Sequence, residues 1–123
     1  MGMRSFSVGV AVKNNVEAVK LYKKVFGLEL GFNAKFPDGT YQHATLLKDG
    51  QKVFDVVNLT HEFDANKQII GFGVSFDNEE EVQEAFDLLC EGGAVKEPIG
   101  SLPWSSCCGS VIDKFGITWW ISV

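Results

Sequence analysis

Two histidines, three cysteines and three tryptophans are the residues of this 123-residue chain best suited to chemistry or to holding a ligand. His43 lies between Gln42 and Ala44 in a stretch that alternates like a strand. It could be a metal ligand or a general base. With no carboxylate close to it in sequence, a surface or hydrogen-bonded histidine is the plainer reading. Asp55, in the next alternating stretch, is either an acid facing a ligand or an outward-facing strand residue. His61 stands beside Glu62 and Asp64; the three could bind a cation weakly, and solvated loop charge is the plainer account. Cys107 and Cys108 precede a strand. A thiolate nucleophile needs a base or a helix terminus to lower its pKa. The neighbouring sequence supplies neither, so packing is the simpler role. Trp104 and Trp120 are candidate aromatic walls for a planar or apolar ligand. Trp120 shares a strand face with Thr118 and Ser122, the less apolar face. Trp104 falls on a loop that could cover a hollow. For both tryptophans the alternative is that they fill a core.

The rest of the composition bounds what these residues can be part of. The length fits one domain, or two small halves sharing a core. With 46% hydrophobic residues, ten Phe and three Trp, the chain can build that core without disulfides or a structural metal. The net charge of -5 argues against a nucleic-acid surface. No apolar run approaches the ~20 residues of a membrane span, and Val8 to Val12 is too short for a signal core. An odd cysteine count with two adjacent is unlike a disulfide framework. The expectation is a reducing, cytoplasmic setting with neither nucleic acid nor membrane as partner.

The elements follow from periodicity and punctuation. Ser5 to Val12 alternates as a strand, with Phe6, Val8, Val10 and Val12 on one face and Ser7, Gly9 and Ala11 on the other. Asn14 and Glu17 have the spacing of a capping box. The helix that follows carries a stripe of Val16, Val19, Tyr22, Val25 and Phe26 and stops at Gly27. Strands are predicted over 28–36, 41–48 and 51–58. The turns between them are Pro37-Asp38-Gly39 and Asp49-Gly50, the second a strong hairpin signal. Residues 59–70 are polar and irregular and read as a linker. Ile70 to Phe76 then alternates with Gly71, Gly73 and Ser75 on its small face. Asn78 and Glu81 form a second capping box, and the second helix carries Val82, Ala85, Phe86, Leu89 and Cys90 before Gly92-Gly93. A strand is expected over 94–97, a loop over 98–106, and a closing hairpin that turns at Asp113 to Gly116.

The two halves repeat. Gly9-Val10, Asn14 and Glu17 match Gly73-Val74, Asn78 and Glu81, since 73 − 9, 78 − 14 and 81 − 17 are all 64. Pseudo-repeats over 5–58 and 71–123 joined by the linker 59–70 therefore make up one domain, 1–123. The expected fold is α+β: two βαβββ modules forming a cupped mixed β-sheet with helices on its outer face. The small strand faces cannot fill a core. They must approach another backbone closely or line a hollow where a small ligand binds.

On these residues the chain resembles the vicinal oxygen chelate superfamily, the glyoxalase and bleomycin-resistance group that also includes extradiol dioxygenases. The resemblance covers nearly the whole chain. It rests on Ala18 to Gly27 with Tyr22 and Phe26-Gly27, on Ser75-Phe76-Asp77-Asn78, on Glu91-Gly92-Gly93-Ala94, and on Asp113-Lys114-Phe115-Gly116 with Trp119-Trp120. It implies paired βαβββ modules, usually in a dimer, and for the enzymes a divalent metal held by symmetric strand positions. Carried over residue by residue, those positions fall on Ser7, on Gly71, on Trp120, and on Phe54 or, one register on, Asp55. Serine, glycine and tryptophan are not ordinary metal ligands. The chain is therefore similar to the small glyoxalase-like proteins without metal, and no cofactor is expected.

The functional expectation is a small-molecule binding protein with Ser7, His43, Phe54, Asp55, Trp104 and Trp120 as ligand-binding candidates. A metal-assisted lyase, isomerase or dioxygenase using His43 and Asp55 is the alternative, and only that reading requires a divalent metal. A homodimer acting in interaction without a ligand is the third.

Overall fold

The computed structural model describes residues 2–60, 62, 64 and 70–123. The expected linker 59–70 lies largely outside the described residues, and His61 with it. The chain divides into two compact units, residues 1–62 and 63–123, and each is a βαβββ module. The fold class is α+β.

The first unit runs β1 (Gly9–Val12), α1 (Asn15–Phe26), β2 (Glu29–Lys35), β3 (Tyr41–Lys48) and β4 (Gln51–Asn58). Its four strands are ordered β1-β4-β3-β2, with β1 parallel to β4 and the other pairs antiparallel. The apolar stripe of α1 buries Ala18, Val19, Tyr22 and Val25. Ala44, Leu46, Phe54 and Val56 are buried on the strands, and the Tyr22 ring meets Phe54 edge-on at 5.8 Å. Alternation then sends His43, Thr45 and Asp55 to the opposite, helix-free face.

Two local expectations fail here for identifiable reasons. Asn14 makes no side-chain cap. The neighbouring Asn15 is fully buried instead. It donates from Nδ2 to the Tyr41 carbonyl at 2.8 Å and accepts the Tyr41 N–H at 2.9 Å. A polar residue at a helix start can serve a neighbouring strand rather than its own helix. The first strand is also shorter than its alternation, since it begins at Gly9, and Phe6 is 77% exposed rather than packed under the helix. Other signals act as expected. Gly27 ends α1 in the left-handed conformation, with its N–H on the Lys23 carbonyl. Asp49 and Gly50, at φ 50° and 78°, turn β3 into β4.

The second unit runs β5 (Phe72–Ser75), α2 (Glu79–Cys90), β6 (Ala94–Leu102), β7 (Ser105–Ile112) and β8 (Thr118–Ser122), in sheet order β5-β8-β7-β6. Asn78 does cap α2, accepting the Glu81 N–H at 2.9 Å. Val82, Ala85, Phe86 and Leu89 are buried. Phe86 lies over Gly109, where an added Cβ would stand 2.8 Å from the ring. The turn between β7 and β8 is organised by the buried Asp113 carboxylate. It accepts the N–H groups of Phe115 and Ile117 on Oδ1, and the indole N–H of Trp119 on Oδ2 at 2.8 Å.

The expected loop 98–106 is a correction. β6 continues through Pro98 to Leu102 and pairs with β7, which starts at Ser105. Proline lacks an N–H to give a ladder, but an edge strand has one unpaired side, and β6 is an edge with register shifts along it.

Candidate functional site

Asp55 is the centre of the only buried carboxylate cluster that the described part of the first sheet places on its helix-free face. Its side chain is 6% exposed. Oδ1 accepts the Thr45 hydroxyl at 2.7 Å and lies 3.0 Å from His43 Nε2. Oδ2 lies 2.6 Å from the Lys52 ammonium. Burial pushes the Asp55 carboxyl up, but the hydrogen bonds from Lys52, Thr45 and His43 together outweigh it and hold the group below the usual aspartate value. The carboxylate is therefore ionised at neutral pH. Facing it, His43 Nε2 must carry the proton, which leaves Nδ1 as an acceptor whenever the ring is neutral.

Cross-strand register brings His43, Thr45 and Asp55 together. Thr45 is the antiparallel partner of Asp55, and His43 is two residues along the same face. Lys52 arrives by a different route. Leu46 pairs with Phe54 but Leu47 pairs with Lys52, so Val53 is an extra residue in β4. That bulge reverses the alternation and turns Lys52 to the side of Asp55 rather than toward α1. Without it, Lys52 would share a face with the buried Phe54. The Phe32 ring, itself 71% exposed, meets the His43 ring at 6.0 Å centroid to centroid and extends this face with an apolar surface.

The remaining candidates are placed differently. Phe54 packs against Tyr22 on the helix side and has no place on this face. Ser7 is exposed ahead of β1. In the second sheet, Trp120 pairs with Gly73 and is half-buried, whereas Trp119 points the other way and is 1% exposed. An added Cβ at Gly73 would lie 3.9 Å from the Trp120 ring, so the small face of β5 leaves room beside this indole. Thr118 and Ser122 share the Trp120 face, and among the described residues the buried Thr118 hydroxyl has no hydrogen-bond partner. Trp104 is 71% exposed in the tight turn between β6 and β7, not on a long loop. Burial pushes the Cys107 thiol up, with Glu79 and Cys108 adding to it, and burial beside Asp87 does the same for Cys90. Both shifts run against a thiolate nucleophile.

The metal positions implied by the superfamily carry unlike groups in the two units. In the first sheet Gly9 pairs with Asp55, and in the second Gly73 pairs with Trp120. Asp55, not Phe54, is thus the counterpart of Trp120. The first unit offers the Ser7 hydroxyl and one carboxylate; the second offers a glycine and an indole. Among the described residues no three His, Cys, Asp or Glu side chains cluster so as to hold a metal. The single carboxylate is already engaged by an ammonium group. This donor set does not fit a tightly bound divalent ion.

Thr45 and Lys52 are not among the residues that the sequence marks as candidates. Thr45 sits two residues from His43 on the same strand face, a signal that alternation makes available once Asp55 is paired. The register slip that delivers Lys52 has no comparable mark.

The fold is that of the glyoxalase-like, vicinal oxygen chelate proteins. The chain belongs to the family described as 3-demethylubiquinone-9 3-methyltransferase, whose model matches residues 7–122. Among solved structures it is similar to the PhnB protein from Bacillus cereus, at 25% identity and a TM-score of 0.82, covering 97% of this chain and 98% of that one. A glyoxalase-related enzyme from Fulvimarina pelagi shares the fold at 16% identity and a TM-score of 0.70, with 98% and 88% covered. So does the fosfomycin resistance protein FosX from Listeria monocytogenes, at 11% identity and a TM-score of 0.71, with 99% and 94% covered. No curated protein matches the chain. No helix among the described residues is long and apolar enough to cross a membrane.

Proposed function

We propose that this protein binds a small, planar or apolar molecule carrying an oxygen acceptor, against the helix-free face of the first sheet and without a bound metal. The observation that carries this reading is the ionised, buried Asp55 held by Lys52, Thr45 and His43 beside the exposed Phe32 ring. Lys52 keeps N–H groups beyond the one given to Asp55, His43 offers Nδ1, and Phe32 offers an apolar wall. In the second unit, Trp120 with open space beside Gly73 is a separate aromatic surface. A thermal-shift screen of varied small molecules tests it. A true ligand raises the midpoint of the native protein, and by less in the His43→Ala and Phe32→Ala variants. A ligand whose effect is undiminished in both variants binds elsewhere and overturns this placement.

One observation favours a second reading. A histidine oriented by a buried carboxylate is an arrangement suited to a general base, so a ligand with an acidic C–H could lose its proton to His43 Nδ1. Proton–deuterium exchange of such a ligand, catalysed by the native protein and not by His43→Gln, would establish it. The metal-assisted alternative would recruit Asp55 and His43 as ligands, and the Lys52 contact argues against it. Chelator is expected to leave the unfolding midpoint unchanged. The family description names a methyl transfer. A cationic sulfonium donor would seek a free carboxylate, and Asp55 on this face is already taken by Lys52, so no methyl-transfer step is derived. The superfamily resemblance extends the proposal to a homodimer, which sedimentation equilibrium tests. The three free cysteines fit a reducing, cytoplasmic compartment.

A further inference from the structure

The superfamily places a metal ligand where this chain has Asp55, and the chain answers with a cation of its own. Three observations meet at this point. Asp55 occupies the strand position that register makes equivalent to Trp120. Its Oδ2 lies 2.6 Å from Lys52 Nζ, within the range of a charge-assisted hydrogen bond. And Lys52 reaches that face only because Val53 is bulged out of register. Bulges are over-represented beside active sites, where they re-aim a side chain.

We infer that Lys52 is a resident cation at this position, one that holds the Asp55 carboxylate closed to divalent metal ions. The inference rests on the metal-free reading proposed above and adds a cause to it. A divalent ion approaching Asp55 must displace a bonded ammonium and must also bear the repulsion of that ammonium at short range. What remains once Lys52 is gone is a carboxylate, an imidazole nitrogen and a hydroxyl, from Asp55, His43 and Thr45. That set would give a divalent transition ion two good donors and leave its other positions to water.

The prediction is therefore a gain of function by subtraction. Lys52→Gln keeps a polar side chain, one atom shorter, and removes the charge. The Lys52 side chain is 44% exposed, so the variant should retain the fold. The full chain is labelled for amide NMR and titrated with manganese(II), whose paramagnetism broadens signals near its site. The native protein should show no selective broadening at Thr45, His43 or Asp55 at metal concentrations where Lys52→Gln shows it, with affinity at least tenfold higher in the variant. Lys52→Arg should behave as the native protein, because the charge is kept. The double variant Lys52→Gln, His43→Ala should lose most of the gain.

The outcomes separate the two claims. If the native protein is broadened at Asp55 as strongly as the variant, both the metal-free reading and the resident cation fail. If the native protein is silent and Lys52→Gln is silent too, the metal-free reading stands and the role given to Lys52 is overturned. If Lys52→Arg gains metal as Lys52→Gln does, charge is not the cause and the inference falls.

Discussion

Asp55 stands beside Gly9 as Trp120 stands beside Gly73: each is the partner of the single glycine of a parallel first strand, on the helix-free face of its own sheet. The repeat has kept the scaffold and diverged at this rung. One sheet has a charged, hydrogen-bonded group there, and the other has the largest aromatic. A duplicated fold that still made the same use of both halves would be expected to carry similar donors at both.

The state of Asp55 makes a pH prediction. Its folded pKa lies below the ordinary aspartate value, so the unfolded chain takes up the proton first as pH falls. Its contribution to stability is thus complete above the ordinary value of ~3.9, and it is lost as pH drops through the folded one. Asp55→Asn should cost about 1–3 kcal/mol at pH 7. The gap between native and variant in urea titrations should stay level down to about pH 5 and shrink below pH 4. A gap that widens on acidification would contradict the direction of the shift.

Trp119 and Trp120 are neighbours with opposite roles. Trp119 is buried and bonded to Asp113, so Trp119→Ala should cost about 3–5 kcal/mol. Trp120 is half-buried on the other face, and Trp120→Ala should cost less than half as much. Equal losses from the two, measured by denaturant unfolding, would show that Trp120 is a core residue like its neighbour.

Three asparagines at two helix starts should rank in an order that their sequence positions do not suggest. Asn15→Ala breaks two buried hydrogen bonds to Tyr41 and leaves that backbone unsatisfied, at a cost of about 2 kcal/mol or more. Asn78→Ala removes a cap and should cost about 1 kcal/mol. Asn14→Ala should fall within about 0.5 kcal/mol of the native chain. Thermal midpoints of the three single variants check the order.

The glycines of the second sheet separate close packing from open space. A methyl group at Gly109 would meet the Phe86 ring at 2.8 Å and the Glu97 carbonyl at 3.0 Å. Gly109→Ala should therefore destabilise by about 1–3 kcal/mol through overpacking. At Gly73 the nearest atom is the Trp120 ring at 3.9 Å, and Gly73→Ala should be tolerated or mildly stabilising. A severe loss at Gly73 would mean that its face is already filled.

Much of the architecture was legible because it depends on patterns within a few residues. The strands 41–48 and 51–58 have the limits read from alternation and the Asp49-Gly50 turn. Both helices carry most of the stripe their periodicity announces. The misreadings share one cause, which is that a partner from elsewhere in the chain decides. Asn15 is chosen over Asn14 by the backbone of Tyr41. Pro98 is admitted to a strand because β6 is an edge. His43 looks isolated until cross-strand pairing sets Asp55 beside it, twelve residues away in sequence. Lys52 could not be placed from the sequence at all, because alternation points it toward the helix and only the extra residue at Val53 reverses that.

The nine residues of β6 carry a further consequence. Every residue of this strand but Ile99 is exposed, and Val95 and Leu102 lie bare at its two ends. A flat strand of that length with free carbonyl and N–H groups would template the addition of another chain, the first step toward fibrillar aggregates. Pro98 interrupts the row of donors at its middle, Lys96 and Glu97 place charge beside it, and the register shifts bend the strand. Pro98 is thus a gatekeeper, and a chain with valine in its place would fold the same sheet yet lose solubility during prolonged storage.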